Sequence, residues 1–448
     1  MGKINLLDCT LRDGGYINNW NFGEENIKGI CRRLVQTGIE FIEIGFIKGK
    51  NYNPNMTIYP TIDSIKNILP PKNDKVKYIG MMDMNSPIPL SEIPPYDGKS
   101  IDGIRVIFKK EKMNEGYIYS KKIKELGYWL SVNFVGTDLY TDKEFIDGIE
   151  KFNNIKPDSM AIVDSFGLIK RRHFLRLIYI ADNNMDSDIM LSYHAHNNLQ
   201  QAFGNAEALV ELNLKRDICI DACVFGMGRG AGNLNLELFA EYMNENYNTH
   251  YRLEPMLEIM DEYLDDIYKI KSWGYSLPLY LSANFHCHPN YAIYLSDRDT
   301  LNVKAFNEIL KSIPDKDRAV FTSEKADKYY RNYQENYVDD KETILKLSDE
   351  LLDKEVILLA PGKSLIQYRD KVMEQISSEN TAVFSLNFIP NEFQINYVFS
   401  SNMRRFERFN FKEGIKYIIT SNVKTEKYVD YIFNYASYAP SESIIIDN

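Results

Sequence analysis

Two short segments, far apart in the chain, carry residue types that bind metals. LLDCTLRDGG (residues 6–15) and YHAHNN (residues 193–198) each end an apolar, strand-like run. Residues two apart on a strand point the same way, so His194 and His196 present two imidazoles to one side. Asp13 adds a carboxylate if the two strand ends meet in space. Two histidines and a carboxylate with open coordination positions favour a catalytic divalent metal over a structural one.

Other readings of these residues stay open at this point. The histidines can be a buried pair that bonds to backbone carbonyls, and the same ligands can hold non-haem iron for oxygen chemistry. Arg12 favours a third reading, because a fixed cation beside the metal would stabilise an enolate. Glu43 is either a simple ion-pair partner of Arg12 or the residue that orients its guanidinium toward that enolate, and both roles can hold together.

Several further residues are candidates for the same site. Asn233, at the end of GMGRGAGN (residues 226–233), is a fourth metal ligand or the cap of the following helix. Ser165 can donate to a substrate carboxylate or cap a helix. His288 and Tyr291 are three residues apart, so on a helix they share a face. They are an acid–base pair, or a buried histidine with an interface tyrosine.

The elements that must position these residues alternate in type. β-rich apolar runs and amphipathic helical patterns follow each other to about residue 247, which predicts a (β/α)8 barrel with seven intervening helices and a closing helix. An open doubly wound sheet is the alternative. The site candidates follow or end strands, on the face where such barrels carry catalysis. The predicted strands are 4–10, 41–46, 76–82, 103–108, 129–136, 159–166, 189–196 and 218–226.

The remaining sequence predicts two more parts. Residues 251–345 have helical spacing and are expected to close the barrel mouth, after a catalytic domain at residues 1–250. Residues 346–448 begin with a strand–turn–helix pattern, EVILLAPGKSL, and predict a small Rossmann-like α/β domain of unknown role. The first glycine of a Walker A loop is missing there, because position 357 is Ile357.

Composition excludes several classes of protein. The 448 residues are 44% hydrophobic and 26% charged, as in soluble globular proteins. A net charge of −10 disfavours nucleic acid and anionic membranes as partners. No long apolar run or signal peptide is evident, so a cytoplasmic location is expected. The five cysteines lack a CxxC pair, which indicates reduced thiols.

Five motifs in this order resemble those of the DRE-TIM metallolyases, the HMGL-like family. They are LLDCTLRDGG, FIEIGF, VDSFG, HAHNNLQQAFGNA and DACVFGMGRGAGNLNLE, and they lie within about residues 1–300. The 4-hydroxy-2-oxovalerate aldolase-like branch is the most similar, with isopropylmalate synthase and hydroxymethylglutaryl-CoA lyase more distant. The C-terminal domain falls outside the resemblance.

The resemblance implies roles for individual residues. Asp13, His194 and His196 would bind Mn²⁺ or Mg²⁺, Arg12 would stabilise a pyruvate enolate, and Ser165 would hold its carboxylate. Tyr291 would belong to a helical segment that closes over the site.

The chain departs from the family at two points. The aldolases carry a basic histidine shortly after the first motif, but Tyr16, Ile17 and Asn18 stand here. The base must then come from elsewhere, with His288 or a metal-bound water as candidates. The lyase branch has a catalytic cysteine in the glycine-rich loop, and GMGRGAGN has none.

The sequence therefore predicts a divalent-metal-dependent aldolase acting on a 2-oxo acid and an aldehyde. His288 or Tyr291 would move the proton of the aldehyde hydroxyl. The alternatives are a Claisen-type enzyme that condenses an acyl-CoA with a 2-oxo acid, and a non-catalytic scaffold that binds a sugar nucleotide. The sequence allows a homo-oligomer and does not identify the aldehyde.

Overall fold

The structure, a computed structural model, describes residues 2–433 and 435, except residues 50, 299–300, 335–337, 339 and 379. The chain forms two compact units, Met1–Pro289 and Asn290–Asn448. The boundaries expected after residues 250 and 345, and the expected closure of the barrel mouth, stay predictions.

The first unit is a closed barrel of eight parallel strands, with one further two-residue strand at its edge. The strands are β1 (Ile4–Asp8), β2 (Phe41–Ile47), β3 (Ile58–Tyr59), β4 (Lys77–Asp83), β5 (Gly103–Phe108), β6 (Trp129–Val135), β7 (Ser159–Asp164), β8 (Met190–Ala195) and β9 (Ile218–Ala222). Strand β1 pairs with both β2 and β9, which closes the ring. Strand β3 pairs with β2 alone. The predicted (β/α)8 barrel is confirmed.

The helices of this unit follow the strands along the chain. They are α1 (Gly15–Asn18), α2 (Glu24–Thr37), α3 (Met113–Glu125), α4 (Asp142–Asn153), α5 (Arg171–Asn184), α6 (Ala202–Glu211), α7 (Leu236–Tyr247), α8 (Glu254–Ile259), α9 (Asp265–Ile270) and α10 (Leu277–Asn284), with a π-helical segment, Met260–Leu264, between α8 and α9. The prediction of seven intervening helices is wrong in two connections. A 3₁₀ helix, Asp63–Ile68, precedes β4, and only the short 3₁₀ helix Leu90–Glu92 precedes β5. The second of these connections contains four prolines, which block helical hydrogen bonds.

The outer face of the barrel wall is apolar, and the barrel interior contains a cluster of buried charges. Ile104 and Val106 of β5 join Ile123 of α3 in the apolar layer between strands and helices. Arg105, between them, faces the opposite way, into the barrel. It meets two other fully buried charges, Glu43 and Asp221. Glu43 is the third residue of β2, so the prediction that it lies at a strand end is wrong.

The second unit contains a five-stranded parallel sheet in chain order, which confirms the predicted C-terminal α/β fold. Its strands are β10 (Glu355–Leu359), β11 (Thr381–Leu386), β12 (Tyr397–Ser400), β13 (Lys416–Thr420) and β14 (Tyr431–Phe433). Its helices are α11 (Pro289–Ser296), α12 (Val303–Ser312), α13 (Asp315–Arg318), α14 (Ser323–Gln334), α15 (Lys341–Leu351), α16 (Lys363–Gln367), α17 (Arg369–Ile376) and α18 (Met403–Phe406). Two apolar clusters include residues of this sheet, one around Phe406 and Tyr417 and one around Phe384 and Tyr397.

Among the described residues, none of the helices has the length and apolar character needed to cross a membrane.

Candidate metal centre

The turn after β1 carries Arg12 and Asp13, and local hydrogen bonds fix its shape. Thr10 donates its backbone N–H and its hydroxyl to the carboxylate of Asp8, at 3.1 and 2.6 Å. The N–H of Asp13 donates to the carbonyl of Cys9 at 2.7 Å. The chain therefore folds back on the end of β1, and it leaves Arg12 and Asp13 at the carboxyl-terminal mouth of the barrel.

The end of β8 brings both histidines to Asp13. His194 lies in β8, and His196 follows it and forms an isolated bridge with Asn233. Nε2 of His194 is 4.0 Å from Oδ1 of Asp13, and Nδ1 of His196 is 3.9 Å from Oδ2 of Asp13. One ligand atom from each of the three lies within 4.8 Å of the others, and all three residues are buried.

These residues fit a divalent cation. Nδ1 of His196 and Oδ1 of Asn233 are buried, and neither has a hydrogen-bond partner in the described part of the chain. Buried polar atoms without partners are costly, and a cation would satisfy both lone pairs. Two imidazoles and a carboxylate are also the donors of open catalytic metal sites. Asp13, His194 and His196 would hold the ion, with Asn233 beside them.

A buried acid orients His194. Nδ1 of His194 is 3.2 Å from Oδ2 of Asp221, a residue of β9. Asp221 also accepts a hydrogen bond from the guanidinium of Arg105. A proton held on Nδ1 leaves the lone pair of Nε2 on the side of Asp13, which is how ligand histidines are normally fixed.

Arg12 is held between two acids. Its Nε donates to Oε2 of Glu43 at 2.7 Å, and its Nη1 donates to Oδ1 of Asp13. Glu43 in turn accepts from Nη1 of Arg105 at 3.3 Å. Three carboxylates and two guanidinium groups form this chain, so it retains one net negative charge, which favours a cation.

Neighbouring charges keep Asp13 and Asp221 ionised, and burial keeps His196 neutral. Burial alone would raise the pKa of Asp13, but Arg12, both histidines and the Asn233 amide outweigh it and lower that pKa. Burial also opposes ionisation of Asp221, yet Arg105 and His194 lower its pKa. Burial lowers the pKa of His196 to about 3, although Asp13 opposes the shift. Asp13 and His196 are therefore in their metal-binding protonation states at neutral pH.

The glycine-rich loop fits closely against the ligands. A Cβ atom on Gly228 would lie 2.2 Å from Nδ2 of Asn233 and 3.0 Å from Oδ2 of Asp13. Gly232 has φ +78°, and a Cβ atom there would lie 2.0 Å from the carbonyl oxygen of Gly226. Both positions therefore require glycine.

Asn233 is part of the cluster and does not cap a helix. Its Nδ2 donates to Oδ2 of Asp13 at 2.6 Å and to the carbonyl of Met227 at 3.1 Å. The cap alternative is wrong, because α7 begins at Leu236 and Asn235 precedes it. Asn233 as a fourth ligand stays a prediction.

Ser165 follows β7 and does not cap a helix either. Its Oγ accepts a hydrogen bond from the N–H of Gly136 at 2.9 Å, so its own proton remains available to a ligand. Helix α5 begins later, at Arg171, which makes the cap alternative wrong. Its predicted contact with a substrate carboxylate stays a prediction.

His288 and Tyr291 do not share a helix face, so that prediction is wrong. Pro289 is the first residue of α11, and His288 precedes the helix. The His288 ring packs 5.4 Å from the ring of Phe166, and burial lowers its pKa to about 3. Tyr291 belongs to the second unit, where its hydroxyl donates to the carbonyls of Asp317 and Val320.

Four residues of this region are not site candidates on sequence grounds alone. Arg105 and Asp221 are charges within apolar strands, a pattern that can signal a polar barrel interior. Arg229 is the charged residue of the glycine-rich loop, and its guanidinium lies 5.1 Å from the ring of Tyr16. Tyr16 was noted only as a departure from the family.

Comparisons with known proteins agree with this site. Residues 121–262 match the HMGL-like family. A 4-hydroxy-2-oxovalerate aldolase from Carboxydothermus hydrogenoformans is 25% identical over 240 residues, which are 53% of this chain and 69% of that protein. An oxaloacetate decarboxylase from Mycobacterium tuberculosis is 24% identical over 234 residues, which are 52% of this chain and 67% of that protein.

Solved structures share the fold. The N-terminal domain of a candidate aldolase from Bacteroides vulgatus has a TM-score of 0.55 and 24% identity, over 69% of this chain and 100% of that one. The carboxyl transferase domain of Rhizobium etli pyruvate carboxylase, determined with pyruvate, has a TM-score of 0.53 and 14% identity, over 72% of this chain and 59% of that one.

The family match, the names of the relatives and the Asp–His–His cluster agree with one another. The prediction of an enzyme of the lyase class is confirmed. Residues 121–262 of the barrel therefore match the HMGL-like family, the family whose motifs the sequence resembles.

Proposed function

We propose that the chain is a divalent-metal-dependent aldolase that makes or cleaves a carbon–carbon bond through the enolate of a pyruvate-type 2-oxo acid. One observation carries the proposal. The guanidinium of Arg12, fixed by Glu43, touches the same Asp13 carboxylate that completes the cluster with the histidines. A fixed cation and a metal site thus converge on one position, where an enolate oxygen would develop charge.

Asp13, His194 and His196 hold the ion in this proposal, and Mn²⁺ or Mg²⁺ suits a small anionic oxygen substrate. When bound, the ion supplies a Lewis acid that polarises the keto group. Arg12 uses its remaining N–H groups to hold the enolate oxygen. Ser165 donates its hydroxyl proton to the carboxylate of the 2-oxo acid.

In the direction of synthesis, a C–H bond of the methyl group breaks and its proton goes to a base. The resulting carbon bonds to the aldehyde carbon, and the aldehyde oxygen takes a proton, which gives a 4-hydroxy-2-oxo acid. His288 is the preferred base or acid, because Tyr291 already donates to two carbonyls. Its low pKa makes it a weak base until a bound anion raises it.

The relatives support this chemistry. A 4-hydroxy-2-oxovalerate aldolase and an oxaloacetate decarboxylase both break a bond to the carbon beside a keto group. Each reaction leaves the enolate of a 2-oxo acid, so one site with a metal and an arginine serves both.

The test is deuterium exchange into the methyl group of pyruvate, followed by NMR in D₂O with Mn²⁺, Mg²⁺ or EDTA. Wild-type protein should catalyse exchange of the methyl protons when metal is present, and EDTA should abolish this exchange. His194→Ala should lose both bound metal and exchange, whereas His173→Ala, on helix α5, is the matched control.

Metal-loaded wild-type protein that exchanges no methyl protons would overturn the pyruvate enolate. Acyl-CoA-dependent consumption of a 2-oxo acid would then favour the Claisen-type alternative. A metal-free protein with full activity would overturn the metal site itself.

A further inference from the structure

Arg229 is a second cation at the same mouth of the barrel, and none of the roles assigned above uses it. Its Nη2 donates to the backbone carbonyl of Ser165 at 3.3 Å, and its guanidinium carbon lies 5.1 Å from the ring centroid of Tyr16. Arg229 thus lies between the turn after β1 and the loop after β7. Its charge also acts on His196 and His288.

Most donors of this guanidinium are unused. Arginine has five N–H donors, and the bond to Ser165 is long. Nε of Arg229 is buried and has no hydrogen-bond partner among the described residues, and no carboxylate of those residues forms an ion pair with the side chain. A half-desolvated cation without an anion is unfavourable, so the site is built to receive one.

The charges around the metal ligands also leave Arg229 unbalanced. The acids and arginines joined to Asp13 retain one net negative charge. A divalent ion and the single carboxylate of a 2-oxo acid bring that chain to neutrality. That chain then has no charge left to balance Arg229, and a second anionic group would balance it.

The aromatic support suits an anion held in a fixed orientation. Tyr16 lies under the guanidinium, and its ring packs 4.7 Å from the ring of Trp20. The indole N–H of Trp20 donates to the carbonyl of Arg12 at 2.8 Å. A planar guanidinium stacked on an aromatic ring can donate two parallel hydrogen bonds to two oxygens of a carboxylate or phosphate. A lysine ammonium cannot form this bidentate pair.

We infer, on the basis of the proposed function, that Arg229 binds a second anionic group carried by the aldehyde portion of the substrate. The substrate class is then a 4-hydroxy-2-oxo acid with a carboxylate or a phosphate beyond the new bond. Arg229 is the residue that sets this specificity, with Tyr16 positioning its guanidinium.

The experiment measures kcat/KM for each aldehyde of matched charged and neutral pairs, at saturating pyruvate. Succinic semialdehyde against butyraldehyde tests a carboxylate, and glyceraldehyde 3-phosphate against glyceraldehyde tests a phosphate. Wild-type protein should prefer one anionic partner. Arg229→Met should lower its kcat/KM by about 10- to 100-fold relative to the neutral partner, mainly through KM. Arg229→Lys should restore part of the preference.

Lys143→Met is the control, because it removes one positive charge from an exposed helix position, and its selectivity ratio should not change. The anion is a carboxylate or a phosphate according to which aldehyde pair loses its charged-over-neutral ratio of kcat/KM in Arg229→Met. Equal rates with charged and neutral partners in wild-type protein would overturn the inference, and so would an equal loss for both in Arg229→Met.

Different results would overturn the proposed aldolase function and the proposed role of Arg229. Metal-dependent exchange of pyruvate protons without selectivity for anionic aldehydes overturns the role of Arg229 alone. No exchange by metal-loaded wild-type protein overturns the proposed function on which that role rests.

Discussion

Nδ1 of His194 lies 3.2 Å from Oδ2 of Asp221, whereas Nε2 of the same ring lies on the side of Asp13. Strands β8 and β9 are neighbours in the barrel, so this contact depends on the pairing of the two strands. Arg105 reaches Asp221 from β5, across the barrel interior. The orientation of a candidate metal ligand is therefore fixed by charges inside the barrel wall.

Asp221→Asn is expected to weaken Mn²⁺ binding by about 10- to 100-fold, as outer partners of ligand histidines generally do. The amide cannot pair with Arg105 and hold the proton on His194 equally well. Isothermal titration calorimetry gives the affinity, and Asp74→Asn, at an exposed position, is the control. Unchanged Mn²⁺ affinity in a folded Asp221→Asn protein would remove Asp221 from the site.

Arg12→Lys is expected to lower kcat by about 100-fold or more while the protein keeps its metal. A lysine ammonium cannot donate to Glu43 and Asp13 and also present a planar group to an enolate. Steady-state kinetics together with metal analysis test this variant. A normal kcat would show that Arg12 has only a structural role.

Gly228→Ala is expected to reduce activity and metal affinity together. The added Cβ atom would lie 2.2 Å from Nδ2 of Asn233, so the loop or the amide must move. Gly362→Ala is the matched control, because its nearest neighbour would be the Ser364 hydroxyl at 3.6 Å. The measurements are the metal affinity and kcat/KM of both variants. A Gly228→Ala protein with wild-type activity and metal affinity would show that the loop has room for a Cβ atom.

Glu350 is expected to make the second unit more stable above pH 4.5 than at low pH. Lys416 at 2.5 Å and the hydroxyls of Tyr397 and Tyr431 outweigh desolvation and lower the pKa of Glu350 to about 2. A lowered pKa means that this stabilisation is present above the ordinary value and is lost as the pH falls toward 2. Calorimetry should find Glu350→Gln less stable than wild type at pH 7, and this difference should be much smaller near pH 2. A difference that does not change with pH would contradict this.

Local patterns in the sequence were sufficient for the barrel and for the three candidate metal ligands, Asp13, His194 and His196. Alternating apolar runs identify strands, and the spacing of His194 and His196 puts them on one face. Arg105 and Asp221 could not be paired in advance, because their contact depends on how β5 and β9 face each other across the barrel. His288 was misplaced because the helix begins at Pro289, and boundaries depend on local hydrogen bonds that spacing does not reveal.

The central claim is that Asp13, His194 and His196 together hold one catalytic divalent ion. The most direct measurement is the stoichiometry of Mn²⁺ by electron paramagnetic resonance, for wild type, His194→Ala, His196→Ala and the control His173→Ala. We expect one tightly bound ion per chain in wild type and control, and none in the two ligand variants. One tightly bound ion in both His194→Ala and His196→Ala would contradict it.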